Sequence, residues 1–405
     1  TNNKSRQLLK IDVMSEWKKY KLGELVQTNK KSIDSNYPFE EIEYLDTGSI
    51  TRGKIESFQK YKLSEAPSRA KRLVVQDDII YSTVRPIQRH YGFIDNPLSN
   101  LVVSTGFATI TCEKDKLNPK FLYYLLSNDD TVEYLDVIAE ASTSAYPSLR
   151  PSDIENLEIT IPELPEQKAI ASILSCLDDK IDLLHRQNAT LEKMAETLFR
   201  QWFMERRPEP VEGEAKEEWK SKPLSSIAVF LNGLACQKFP PKNNIEKLPV
   251  LKIKELSSGI TENSDWATTN VKPEYIVKNG DVIFAWSASL MVKIWDGQDC
   301  ILNQHLFKVT SKDYPKWFYF LWCKHYLDEF IAKAASHATT MGHIKRGDLD
   351  KAMVLIPSTK ELEEMTLETE PLIEKIIANN KQIKLLVNLR DILLPKLMSG
   401  EIRIL

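Results

Sequence analysis

From Glu166 to Phe203 the chain reads EQKAIASILSCLDDKIDLLHRQNATLEKMAETLFRQWF, a long run without glycine or proline. Apolar residues recur at Ile170, Leu174, Leu177, Ile181, Leu184, Leu191, Ala195, Leu198 and Trp202, and Asn188 holds the one polar place. The steps alternate four and three, the period of a helix laid along a partner helix. At ~1.5 Å per residue the run spans ~57 Å. A shift of 195 residues places Met365, Thr369, Leu372, Ile376, Asn379, Ile383, Leu386, Arg390, Leu393 and Leu397 on a second such seam. Pro371 and Pro395 interrupt that copy, so the spacing predicts a helix starting near Pro371 and bending or ending near Pro395. Asn188 and Asn379 fix the register if they face the partner helix, because a buried amide admits few alignments. On a frayed stripe they face water instead.

The second seam belongs to a longer duplication. Glu16-Trp17-Lys18 recurs as Glu218-Trp219-Lys220, and Asp78-Ile79-Ile80-Tyr81 resembles Asp281-Val282-Ile283-Phe284. Pro119-Lys120-Phe121-Leu122-Tyr123 resembles Pro315-Lys316-Trp317-Phe318-Tyr319. Asp153-Ile154 and Ile161-Pro162 match Asp348-Leu349 and Ile356-Pro357. Offsets that drift from 202 to 195, always in order, describe two copies of one domain with small insertions. Before each helix the pattern is mixed. Ile79–Thr83, Leu101–Val103 and Phe107–Thr111 read as short strands, and Pro119–Ser127 as a short helix with Phe121, Leu122, Leu125 and Leu126 on one face. Pro315–Lys324 is its counterpart. The fold class is therefore α+β with a pseudo-two-fold internal repeat. Two similar domains of mixed short strands and helices are separated by two long helices. The helices pair as an antiparallel coiled coil, since a whole globular domain lies between them in the chain.

The 405 residues suffice for two or three domains with cores of their own. No apolar run reaches the ~18 residues of a membrane span. No charged n-region precedes an apolar h-region, so secretion is not indicated. Five scattered cysteines form no CxxC and read as reduced thiols of a cytoplasmic protein. A net charge of −3 argues against indiscriminate coating of nucleic acid, though not against a local basic face. Thirteen glycines are few for a Gly-rich nucleotide site. No GxxxxGK[ST], GxGxxG or Asn/Asp-Pro-Pro-aromatic stretch occurs. The six histidines lack HExxH spacing, and His337 and His343, six apart, have no matching cysteine or carboxylate, so no metal site is expected. Residues 1–14 read as a tag or a solvated arm, with Met14 a natural start.

Two similar domains on one spacer suit a ligand with two similar sites at fixed separation, which duplex DNA offers about one helical turn (~34 Å) apart. The copies differ in detail, so the half-sites should differ. Specific stretches now bear on the family. They are Trp17-Lys18-Lys19-Tyr20-Lys21-Leu22-Gly23-Glu24-Leu25 and Ile161-Pro162-Glu163-Leu164-Pro165-Glu166-Gln167-Lys168-Ala169-Ile170. Leu177-Asp178-Asp179-Lys180-Ile181 and Leu394-Pro395-Lys396-Leu397-Met398-Ser399-Gly400-Glu401-Ile402 complete the set. In this order the chain resembles, from Met14 onward, the specificity (S) subunit of type I restriction–modification enzymes. The second copy departs from the pattern, since Pro357-Ser358-Thr359-Lys360-Glu361-Leu362 lacks the Pro-Glu-Gln run.

The resemblance implies target recognition domains at 15–162 and 218–357, spacer helices at 163–207 and 358–405, and a linker at 208–217. It implies double-stranded DNA as ligand and no catalysis in this chain. Two modification (methyltransferase) subunits that use S-adenosylmethionine would dock on it, with restriction (translocase and nuclease) subunits that use ATP and Mg as further partners. Two other readings stand beside it: a self-contained DNA-acting enzyme such as a nuclease, and a protein-binding structural adaptor.

The residues that suit DNA contact cluster in polar loops. In the first copy these are Arg52 and Lys54 at a short turn, and Ser82, Thr83, Arg85, Gln88, Arg89 and His90 where a strand ends. Ser142, Ser144, Tyr146 and Arg150 follow in a hydroxyl-rich loop. Arginine bonds guanine O6 and N7, glutamine bonds adenine N6 and N7, and hydroxyls and spare cations serve phosphates. The corresponding segments of the second copy carry Ser287, Ser289, Lys293, Gln304, His305, Thr339, Thr340, His343, Lys345 and Arg346. Lys60, Lys62, Arg69, Lys71 and Arg72 form a further basic stretch, suited to steering DNA or to solvation alone. Phe199, Trp202 and Phe203 end the first helix and suit partner docking as exposed anchors, or packing on the neighbouring domain.

Overall fold

The four-residue run Ile79–Ser82 is buried throughout, as a short strand with apolar neighbours on both faces must be. It lies in a four-stranded sheet ordered Val26–Thr28, Phe107–Cys112, Ile79–Ser82, Tyr91–Phe93, antiparallel throughout. This sheet belongs to the computed structural model of the chain, which describes residues 16–142, 146–205, 219–336 and 342–404. The chain divides into two compact units, residues 1–179 with 388–405, and residues 180–387.

In the first unit a second sheet runs Gln59–Lys62, Glu41–Leu45, Leu101–Ser104, Ala70–Leu73, with Leu101–Ser104 parallel to Glu41–Leu45. Lys18–Lys21 pairs with Glu158–Ile161 at the domain's entrance and exit. The helix Pro119–Ser127 starts where the Asn118 side chain accepts from the Phe121 N–H (3.0 Å). It buries Phe121, Leu122, Tyr124 and Leu126. Leu125 is only half-buried.

The second unit repeats both sheets in the same order. One runs Val229–Asn232, Leu306–Thr310, Val282–Ala285, Met291–Ile294. The other runs Trp266–Thr268, Lys247–Leu251, Cys300–Leu302, Ile276–Val277 and keeps the parallel pair at the same place, Lys247–Leu251 beside Cys300–Leu302. Lys220–Pro223 pairs with Met353–Ile356 as Lys18–Lys21 does with Glu158–Ile161. A duplicated topology down to one parallel pair is the structural counterpart of the sequence repeat.

The long helices run Leu164–Arg200, continued by a π-helical turn at Gln201–Glu205, and Thr359–Met398. Every seam position named above is buried or half-buried. The second helix does not start near Pro371 as its sequence suggested. It starts at Thr359, where the Ser358 hydroxyl accepts from the Glu361 N–H (3.3 Å) and the Glu361 carboxylate accepts from the Ser358 N–H (3.2 Å) and hydroxyl (2.7 Å). This capping box replaces the Pro-Glu-Gln run of the first copy. Pro371 and Pro395 sit inside the helix on exposed positions, as do Leu367 and Asp391, whose carbonyls they leave without an N–H. Water can reach those carbonyls, so the helix passes both prolines.

In the first unit the helices pair antiparallel. Arg390 donates to Asp178 (2.9 Å), which also accepts from the Tyr124 hydroxyl (2.7 Å), and Arg403 donates twice to Glu166 (2.5 and 2.7 Å). Gln167 is buried and fully used. Its amide donates to the Lys116 and Pro162 carbonyls (3.1 and 2.9 Å) and accepts from the Asn118 N–H (2.8 Å). The glutamine of the Pro-Glu-Gln run thus ties the helix start to the domain that precedes it. In the second unit the seam polar layer is internal. Asn379 donates to Asn188 (2.8 Å), and Asn188 donates to Asn380 (2.6 Å). Asn379 is buried, so both seam asparagines face the partner helix.

Of the two roles open to Phe199 and Phe203, exposed anchor or packing, the structure has the second, because both are buried. Phe199 packs edge-on to Trp322 (4.9 Å), and Phe203 lies against Trp219 (5.4 Å) and Trp322 (5.2 Å). Trp202 is half-buried beside Trp317 (6.0 Å). Phe199 and Phe203 belong to the core of the second unit, and Trp202 packs against it. No helix of the described residues is long and apolar enough to cross a membrane. Residues 1–14, the linker 208–217, Ser144, Thr339, Thr340 and His337 lie outside the described residues.

Candidate nucleic-acid interface

Left-handed backbone at residues other than glycine costs roughly 1–3 kcal/mol and persists only where the surroundings demand it. Among the described residues seven non-glycine positions have positive φ. Asn29, Asp77 and Asn96 are types that tolerate it. The other four are Arg52, Arg85, Arg89 and Ala288, and all four lie in the loops singled out for DNA contact.

In the first unit these loops are laced together by their backbones. Arg52 (φ 49°) and Gly53 (φ 79°) form a two-residue hairpin turn between Ile50–Thr51 and Lys54–Ile55. The turn is pinned where the Arg52 and Gly53 N–H groups donate to the Arg89 and Tyr91 carbonyls, both at 2.8 Å. A side chain at Gly53 would place its Cβ 2.5 Å from the Tyr123 hydroxyl, so glycine is required. After Ile79–Ser82 the chain makes a 3-10 turn at Pro86–Gln88, bounded by Arg85 (φ 46°) and Arg89 (φ 59°). The Arg85 N–H donates to the Pro147 carbonyl (3.1 Å) and the Leu149 N–H to the Thr83 carbonyl (2.7 Å). Val84 and Ser148 thereby form an isolated antiparallel bridge. Three segments distant in sequence, around 52, 85–90 and 147–149, meet in one place.

The side chains there divide into two groups. Ser82 is buried and bonded within its own loop to the Val84 carbonyl (3.0 Å) and N–H (3.2 Å), and Thr83 donates to the Gly106 carbonyl (2.9 Å). These hydroxyls shape the turn and do not face outward. Arg89 is largely covered and ion-paired with Asp129. Burial works against its charge, but the hydrogen bond and charge of Asp129 outweigh that and hold its pKa above the ordinary arginine value. His90 donates from Nδ1 to the Ile50 carbonyl (2.6 Å), a carbonyl being an acceptor only. Arg52, Lys54, Arg85, Gln88 and Arg150 are exposed. The Arg85 guanidinium stands 5.8 Å over the ring of Tyr146, itself exposed. The Ser142 hydroxyl accepts from the Ser148 N–H (3.4 Å).

The second unit builds the same seam from other residues. Ser287 and His343 form the isolated antiparallel bridge equivalent to Val84 and Ser148. The Ala288 N–H donates to the Gly342 carbonyl (2.9 Å) and the Ile344 N–H to the Trp286 carbonyl (3.1 Å). Ala288 (φ 56°) occupies the place of Arg85. Trp286 stacks on Phe307 (5.6 Å), stands near His305 (5.9 Å) and His343 (6.4 Å), and donates from its indole to Asn232 (3.1 Å). Trp286, a residue the sequence pattern did not single out, is the centre of this cluster. Its alignment with the arginine-bearing strand end was the available signal. Ser287 is buried against His305 Nδ1 (3.1 Å), and Gln304 lies beside His305 Nε2 (3.4 Å). Lys293 pairs with Asp296 (3.2 Å), whereas Ser289, His305, His343, Lys345 and Arg346 are exposed.

The sequence model of the type I restriction modification DNA specificity domain matches residues 14–193 and again 216–388. The chain belongs to this family. Both copies of the specificity domain are present, each carrying one of the two seams. The chain is 24% identical over 465 aligned residues to the HindI type I restriction enzyme specificity subunit of Haemophilus influenzae, covering 96% of this chain and 100% of that protein. It is 30% identical over 353 residues to the MjaIX specificity subunit of Methanocaldococcus jannaschii, covering 82% and 79%. Its fold is similar to the crystal structure of a type I restriction–modification S subunit from M. genitalium, with a TM-score of 0.57 over 96% of this chain and 98% of that one. At 16% identity that likeness is one of fold.

Proposed function

We propose that this specificity subunit reads a bipartite, asymmetric site in double-stranded DNA, one half with each recognition domain, and carries modification subunits to it. The observation behind the reading is the doubled loop seam, Val84–Ser148 and Ser287–His343, with strained backbone at the same place in both copies and different side chains around it. A repeated backbone places readers alike, and unlike readers select unlike bases. Of the residues named from sequence, Arg52, Lys54, Arg85, Gln88 and Arg150 in the first domain face outward and can reach bases or phosphates. Ser289, His305, His343, Lys345 and Arg346 do so in the second, with Gln304 half-buried beside His305. The chain contributes recognition and no bond-breaking chemistry. Methyl transfer from S-adenosylmethionine belongs to two modification subunits per chain, and ATP- and Mg-dependent cleavage to restriction subunits where they join.

Selection of the full chain against a pool of random duplexes, followed by sequencing, tests this. The expected product is two short defined blocks, unrelated to each other, at one fixed separation. Binding should weaken steeply as salt rises, because phosphate contacts release counterions. A palindromic motif, a single block or salt-independent binding overturns the bipartite reading. Native mass spectrometry with a co-expressed modification subunit should give two of them per chain.

A further inference from the structure

We infer that Arg85 selects a guanine in the half-site of the first recognition domain, and that the second domain reads its half without a cation at that register. The inference rests on the DNA-reading assignment above and adds the base class and the asymmetry.

Four observations converge. Arg85 and Ala288 are equivalent by the repeat, both have left-handed backbone, and both donate their N–H across the equivalent seam, to Pro147 and Gly342. The scaffold therefore launches a side chain from the same spot in each domain, and the strain belongs to the scaffold rather than to the arginine. The neighbouring guanidinium of Arg89 is committed to Asp129, whereas Arg85 forms no ion pair among the described residues. Its guanidinium is held over the Tyr146 ring at 5.8 Å, which limits its freedom while leaving its in-plane donors open. A planar fork with free donors, held on an exposed loop, matches the paired O6 and N7 acceptors that guanine presents in the major groove. The Ala288 side chain has no donor, and it stands beside the ring cluster of Trp286, His305 and His343.

The test repeats the duplex selection with full-length variants. The unaltered chain should show an invariant guanine in one block. Arg85→Ala should relax that position about 5- to 150-fold, the range of a bidentate contact, and leave the other block unchanged, which also reports correct folding. Arg85→Lys should keep binding but lose the preference, since a point charge lacks the fork. Tyr146→Phe should retain the preference and Tyr146→Ala should weaken it. Ala288→Gly should leave the second block as it is. A uniform loss of binding with every position retained would make Arg85 a phosphate contact and sink the inference alone. So would relaxation at a position other than guanine. If the unaltered chain selects no motif, the DNA-reading assignment fails together with it.

Discussion

The two recognition domains share a backbone and differ in chemistry. Their sheets have one strand order, and their loop seams have the same bridge and the same left-handed residue. Around that frame the first domain sets the exposed cations Arg52, Lys54 and Arg85, while the second sets an indole and imidazoles ahead of the exposed Lys345 and Arg346. The same division runs through the helix pair. In the first unit it is closed by charge, Arg390 between Asp178 and Asp391, and in the second by neutral amides, Asn379 to Asn188 to Asn380. Duplication preserved what the backbone needs, and the side chains on it were free to diverge.

Variants can break or sharpen this contrast. The largest effect is expected in the cores. Phe199→Ala should destabilise the second unit by about 3–5 kcal/mol, since the ring fills space against Trp322. The equivalent Leu394→Ala in the first unit, half-buried, should cost about 1–2 kcal/mol. Thermal or urea unfolding decides it, and a negligible loss for Phe199→Ala would return that ring to a docking role.

Next come the helix contacts. Arg390→Ala removes the partner of Asp178 and should cost about 1–2 kcal/mol, less in high salt because the pair is partly exposed. Burial disfavours the Arg390 charge, yet the two aspartates more than offset this and raise its pKa. Asn379→Ala should cost about 1 kcal/mol with no salt dependence, as a neutral hydrogen bond does. Equal salt sensitivity of the two losses would contradict the charge-versus-amide distinction.

Arg89→Ala should destabilise the first unit by about 1 kcal/mol, because its carboxylate partner is largely exposed and solvent screens the pair. Lys293→Ala in the second, where both partners are more than one-third exposed, should change stability by under about 0.5 kcal/mol. The smallest expected effect is a gain. Thr369 is fully buried at the seam place that Leu174 holds in the first helix, and its hydroxyl has no partner among the described residues. Thr369→Val should raise stability by roughly 0.5–1 kcal/mol. A loss there would mean that the hydroxyl is bonded in solution.

Much of this was legible in order and spacing. The heptad seam located both helices, and matched segments located the loops that meet at each seam. The start of the second helix was legible too, in Ser358 and Glu361 at capping-box spacing, but Pro371 masked it. Both prolines lie on the exposed face, where water can satisfy the carbonyl each leaves without an N–H. Phe199, Trp202 and Phe203 stayed open between docking and packing for a different reason. Helical periodicity says which residues share a face, not whether a neighbouring helix covers it.

The sequence by itself determined the repeat, the α+β class, the paired helices and the segments that meet at each seam, because periodicity and duplication are properties of residue order. Only the tertiary structure decided which side chains in those segments are free. Ser82, Thr83, Arg89 and Ser287 look like readers in a list of donors, yet each is held by the loop or helix that folds against it. Arg85 is exposed and stands over a ring rather than pairing with a carboxylate. Hydrogen-bonding capacity is written in the residue type, but whether it is already used depends on neighbours that lie tens of residues away in the chain.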